Sequence, residues 1–126
     1  MAKERRKYTK TITYRETVGA LAGTRVSYPS ELSGLIREIN IEWPIGCNNL
    51  VQVAFGRGSE WLLPTTPATY MALNNATVKF ALESARVVRD DRVWLEIRNT
   101  DGLNPHTISA IAIVEGVQYR EEEYVG

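Results

Sequence analysis

Apolar and polar residues alternate one by one over short runs along most of this chain, with turn residues between the runs. Successive side chains of an extended backbone point to opposite faces, so this period of two commits the sequence to strands with one buried side. Val93, Leu95 and Ile97 fall on one face and Trp94, Glu96 and Arg98 on the other. Ile39, Ile41 and Trp43 alternate in the same way with Glu38, Asn40 and Glu42, and Pro44 stops the run because it has no donor for a ladder. Further strands are predicted over Tyr8–Val18, where Ile12, Tyr14 and Val18 share a side, and over Thr24–Tyr28, Leu50–Phe55 and Glu60–Leu63. Val78–Leu82 and Arg86–Val88 form another strand region, broken by Glu83 and Ser84. Helical periodicity is nearly absent. The one segment with a helical case is Pro29–Leu35, where Ser30 is placed to cap a single turn ahead of Leu32.

The turns carry their own signals. Gly46, Asn48 and Asn49 tolerate left-handed backbone, Gly56-Arg57-Gly58 reads as a tight hairpin, and Asn99–His106 holds Asp101-Gly102 and Asn104-Pro105. Pro64–Thr77 is the longest irregular connection, a kind of segment that often carries contacts in small domains. The final strand, Thr107–Val114, differs from the others. Ile108, Ala110, Ala112 and Val114 occupy one face and Ile111 and Ile113 the opposite one, so a cover is expected on both sides: a loop, a terminal arm or another subunit. The strand spacing predicts an all-β fold, an antiparallel, jelly-roll-like β-sandwich of about eight strands with extended N- and C-terminal arms.

At 126 residues the chain is one domain. Residues 1–10 form a basic arm, with Lys3, Arg5, Arg6, Lys7 and Lys10 against Glu4; residues 11–115 form the sandwich; residues 116–126 form an acidic tail, with Glu121, Glu122 and Glu123 against Arg120. The formal net charge is +0, so no basic face for nucleic acid is expected, and no run is apolar enough to span a membrane. No apolar stretch of signal-peptide length follows the basic start, and the expectation is synthesis in a cytoplasm without export by that route. Tyr14-Arg15-Glu16 recurs as Tyr119-Arg120-Glu121, and antiparallel pairing of the two segments would bring each Arg to a Glu.

Catalytic chemistry finds little to work with. His106 is the sole histidine and reads as a structural hydrogen-bonding residue, and Cys47, the sole cysteine, lies in a Gly/Asn turn with no base beside it and reads as a partly buried thiol. Asp90, Asp91 and Asp101 lack calcium-loop spacing and take turn roles. No catalytic residue, metal ligand or cofactor is expected. Arg57, Arg86, Arg89, Arg92 and Arg98 read as a solvated face paired with nearby acids. Trp94, out of phase with its strand's core face, is the leading candidate for an interface aromatic. With Trp61 and the tyrosines it also supports an alternative, a carbohydrate-binding module with a glycan ligand. A site shared between subunits, with copies of His106 or Asp101 brought together, is a third and weaker possibility.

Gly46-Cys47-Asn48-Asn49-Leu50-Val51, the turn Gly56-Arg57-Gly58, Leu73-Asn74-Asn75-Ala76-Thr77 and Trp94-Leu95-Glu96-Ile97-Arg98-Asn99-Thr100-Asp101 together resemble, in general style, small β-sandwich structural proteins of tailed phages and related viruses. The resemblance implies a virion component, such as a capsid decoration or cement protein, that forms a homo-oligomer and meets other particle proteins through its termini. The expected interface residues are Lys3, Arg5, Arg6, Lys7, Tyr8, Trp94, Ile111, Ile113, Glu121, Glu122 and Glu123.

Overall fold

The computed structural model describes residues 5–119, with side chains over 8–116. Nine strands are found among them: β1 Arg5–Val18, β2 Gly23–Pro29, β3 Ser33–Trp43, β4 Val51–Arg57, β5 Glu60–Leu63, β6 Met71–Ala72, β7 Ala76–Val87, β8 Arg92–Asn99 and β9 His106–Tyr119. The strand beyond the expected eight is β6, a two-residue piece inside the long connection that pairs with β4. One sheet has the order β1-β9-β3-β7, and the other β2-β8-β4-β5.

The order has a simple origin. β4 pairs β5, β3 pairs β7, β2 pairs β8 and β1 pairs β9, all antiparallel, so the chain is one long nested hairpin whose tip is the Gly58-Ser59 turn. Winding that hairpin until β9 meets β3 and β8 meets β4 closes both sheets, and the result is a jelly roll.

The inner faces are those the alternation picked out. Ile39, Ile41 and Trp43 of β3, Val51, Val53 and Phe55 of β4, and Val93, Leu95 and Ile97 of β8 are fully buried, and Ile12, Tyr14, Val18, Ile108, Ala110, Ala112 and Val114 join them. Ala110 lies between Tyr14 and Ile41, and Ala112 between Ile12 and Ile39, so small residues on the central strand make room for large ones beside them. The two aromatics with polar atoms inside the core cluster are satisfied across it: the Tyr14 hydroxyl donates to Val93 O at 2.6 Å, and Trp43 Nε1 donates to Val51 O at 3.0 Å. Burial raises the Tyr14 phenol above its ordinary range, with Tyr28 adding to the effect.

Four expectations need correction. Pro29–Leu35 holds no helical turn; the chain bends and enters β3 at Ser33, and the Ser30 hydroxyl is used within the bend, donating to Leu32 O at 2.7 Å and accepting from Leu32 N at 3.3 Å. The break at Glu83-Ser84 is a bulge inside one continuous strand, because the register shifts between the pairs Ile36–Ala85 and Glu38–Ala81. The arm boundaries fall inside strands, since β1 begins at Arg5 and β9 runs to Tyr119; these terminal segments pair with each other, which removes them as free arms over the described residues. The repeated tripeptides are not opposite one another, because Tyr14 faces Ala110 and Arg15 faces Ser109.

Tyr14→Phe removes a buried cross-sheet donor while keeping the ring. The Val93 carbonyl loses that partner, and a destabilisation of about 1–3 kcal/mol is expected. A lower urea midpoint at unchanged m-value is the measurement that checks it.

Candidate functional site

The expected interface residues fall in different places. Arg5, Arg6 and Lys7 lie on β1 opposite Tyr119, Gln118 and Val117, and Tyr8 lies opposite Gly116 and packs partly buried against the core. Lys3 and Glu121–Glu123 lie outside the described residues. Ile111 and Ile113 do sit on the outer face of the first sheet, Ile111 between Thr13 and Asn40 and Ile113 between Thr11 and Glu38. Ile111 is 44% exposed, so no described loop serves as the second cover that its strand led us to expect.

Trp94 is the clear departure. Its strand phase does place it on the outer face of the second sheet, yet it is only 3% exposed because its own chain wraps it. The Arg25 guanidinium lies over the indole at 3.9 Å, Trp61 meets it edge-on with centroids 5.1 Å apart, and its Nε1 donates to Gly58 O at 2.9 Å. Beneath it, β4 supplies Gly56, where any Cβ would overlap the indole and the Glu60 carbonyl.

The surrounding groups form one network centred on Glu96. Its carboxylate accepts from Arg25 Nε at 3.0 Å and from the Tyr70 hydroxyl, with Arg98 Nε 3.7 Å away, while Arg98 also covers the Tyr70 ring at 4.6 Å. Burial pushes the Glu96 carboxyl up, but the hydrogen bonds from Tyr70 and Arg25 and the two guanidinium charges outweigh it and hold the group below its ordinary value. The aromatic faces are therefore occupied by arginine and by one another, and Trp94 presents no open platform for a sugar ring. Strand alternation could not reveal this cover, because Arg25 and Trp61 come from β2 and β5.

A second polar cluster joins β8 to β9. Asn99 Nδ2 donates to Val18 O and Gly19 O, both at 3.1 Å, and to Asn104 O at 2.9 Å, tying the β1–β2 loop to the β8–β9 loop. Asp101 Oδ1 accepts from Leu103 N at 2.8 Å and Asn104 N at 3.3 Å, and Oδ2 lies 2.8 Å from His106 Nε2. The His106 hydrogen bond first, then those backbone donors, lowers the Asp101 carboxyl to about 2. Both carboxylate oxygens are thus used to shape the loop, in keeping with the turn role read from the sequence. Cys47 is buried, and burial raises its thiol, which disfavours the thiolate. Among the described residues no group of His, Cys, Asp or Glu is placed to hold a metal ion.

Gly56→Ala is expected to cost about 1–3 kcal/mol by overpacking, and to alter the near-ultraviolet circular dichroism because Trp94 must shift. Asp101 has a depressed folded-state value, so its contribution to stability is present above the unfolded carboxyl value and is lost as pH falls toward about 2. Melting temperature should therefore drop more steeply between pH 4 and about 2 in the wild type than in Asp101→Asn.

The chain matches no protein-family model, no curated protein and no solved structure.

Proposed function

We propose that this chain is a noncatalytic structural subunit of a virus particle, of the capsid decoration or cement kind, which joins neighbouring copies and other particle proteins through its first strand. The observation that carries the reading is the outer edge of β1. β1 runs fourteen residues in unbroken register with β9 and, among the described residues, pairs with nothing on its other side. Such an edge invites a further strand unless it is protected.

The other edges are protected. β7 carries the bulge at Ile36/Glu38, β2 ends in Pro29, and β5 has four residues. β1 has neither bulge nor proline, and its Arg5, Arg6, Lys7, Lys10 and Arg15 stand against Glu16 alone. Like charge opposes pairing of β1 with a second β1 and favours an acidic strand or surface. The segment Glu121–Glu123 of a neighbouring copy has the required charge. The exposed Ile111 on the same sheet adds apolar area beside that contact. The jelly roll supports the reading by analogy, since capsid proteins use it, although lectins and cupins do as well.

Sedimentation velocity checks the proposal. The full chain is expected to form an oligomer at low ionic strength that loses mass at about 1 M salt, where the screening length shrinks to ~3 Å. A chain lacking Met1–Lys7 should show the smaller mass at both salt concentrations. An identical mass for both chains at both salt concentrations would rule out association through the basic strand.

A further inference from the structure

The loops at the end of the sandwich away from Arg5 and Tyr119 form one connected surface. They comprise residues 19–22, 44–50, 73–75 and 100–105. Leu21 N donates to Asp101 O at 3.1 Å, Thr100 donates to Leu50 O from its backbone nitrogen at 2.9 Å and its hydroxyl at 2.6 Å, and Asn49 N donates to Leu73 O at 3.3 Å. The Asn74 side chain accepts from Gly46 N at 3.0 Å and Asn48 N at 2.8 Å. Each loop is tied to the next, so the surface is formed in advance of any partner.

Large apolar side chains project from it: Leu103 is 87% exposed, Ile45 78% and Leu21 75%, with Leu50 less so. The chain as a whole is 24% charged, yet in these loops the sole acidic or basic residue is Asp101, whose carboxylate is taken up by His106 and the backbone. Leu21 also has φ +58° in a turn closed by Ala22 N to Gly19 O at 3.1 Å. That conformation favours glycine, so this leucine adds backbone strain as well as exposed apolar area. Strain and exposure in one residue point away from folding and toward contact. Beside it lies an open depression of about 340 Å³, lined by Leu21, Gly23, Gln52 and Arg98 among others.

We infer that this end is a self-association surface whose occupant is a second copy of the chain, packed loop end against loop end. Charge selects the copy. Apart from Arg98 at the depression, which lies against Glu96 and the Tyr70 ring, the surface carries no free charge, so it meets its own duplicate with little repulsion and offers little to complement a charged partner. Anionic lipid surfaces are bound by Lys and Arg set beside apolar residues, and these loops contain neither. The leucines of one copy supply the apolar cover that those of the other need, and the depression beside Leu21 admits a projecting side chain. The contact goes beyond the proposed function and does not use the basic edge of β1; being apolar, it is not weakened by screening.

Sedimentation velocity of the full chain at about 1 M salt isolates this surface. An oligomer is expected to persist in the wild type and in Ile111→Asp, and to fall to monomer in the double variant Leu21→Asp, Leu103→Asp. Leu21→Gly should weaken self-association by about tenfold while the melting temperature of dilute protein holds or rises, a combination a purely structural leucine would not give. The inference is overturned by a monomeric wild type at high salt, by an oligomer indifferent to the double variant, or by loss of mass in Ile111→Asp instead. Binding of monomeric wild type to phosphatidylserine-containing vesicles, abolished by Leu103→Asp, would also overturn it. If truncation of Met1–Lys7 leaves the mass unchanged while the double variant abolishes it, the charged contact fails and this one stands.

Discussion

The pairing of β1 with β9 is the constraint on which the rest of the structure depends. These are the two outermost strands of the nested hairpin, and they are zipped from Arg5 opposite Tyr119 to Val18 opposite His106. β9 then lies between β1 and β3, and everything it presents inward, Ile108, Ala110, Ala112 and Val114, is buried against both sheets. Without β1, one side of that central strand would be an open edge and Tyr14 would no longer hold the Val93 carbonyl across the core. The segments whose composition marked them as free arms thus begin as the closing strands of the fold.

The two outer faces answer the problem of apolar residues in different ways. On the second sheet Trp94 is closed off by Arg25 and Trp61, with Glu96 holding the arginine in place through an ion pair of 2.8 Å. A cationic lid over an indole retains attraction while keeping the charge near water. On the first sheet Ile111 has threonine and asparagine beside it, and neither reaches across it. One face is therefore finished within the chain and the other is left with apolar area showing.

Much of the fold was legible because alternation in this sequence is clean where both sheets bury a face. Val93, Leu95 and Ile97 are buried as phased, and Gly46, Asn48 and Asn49 take the positive φ values their turn required. What escaped reading has long-range causes. The β7 bulge lets a strand continue past the polar residues Glu83 and Ser84, which read as a break within it. Ser30 satisfies its bend rather than a helix, a choice set by β3 starting directly afterwards. The cover over Trp94 depends on residues brought from β2 and β5, and no local pattern in β8 encodes them. The exposed leucines were passed over for a related reason: Leu21, Leu50 and Leu103 are far apart in sequence, and only the jelly-roll winding gathers their loops at one end.

A net charge of zero conceals a molecule polarised along its strands. At the end where β1 begins and β9 finishes, the connecting loops hold Glu31, Arg89, Asp90 and Asp91, with Lys10 and Arg57 nearby, and Asp91 both caps its turn by accepting from Val88 N at 2.8 Å and pairs with Arg57 at 3.4 Å. At the opposite end, charge has been removed from the loops except where Asp101 is consumed internally. The proposed contact at the first end would be governed by ionic strength, and the inferred contact at the second by apolar area. On the two proposals made above, a chain built this way would form two kinds of junction that respond independently to solution conditions. The jelly roll makes that separation possible, because its nested hairpin sends alternate connections to opposite ends of the sandwich.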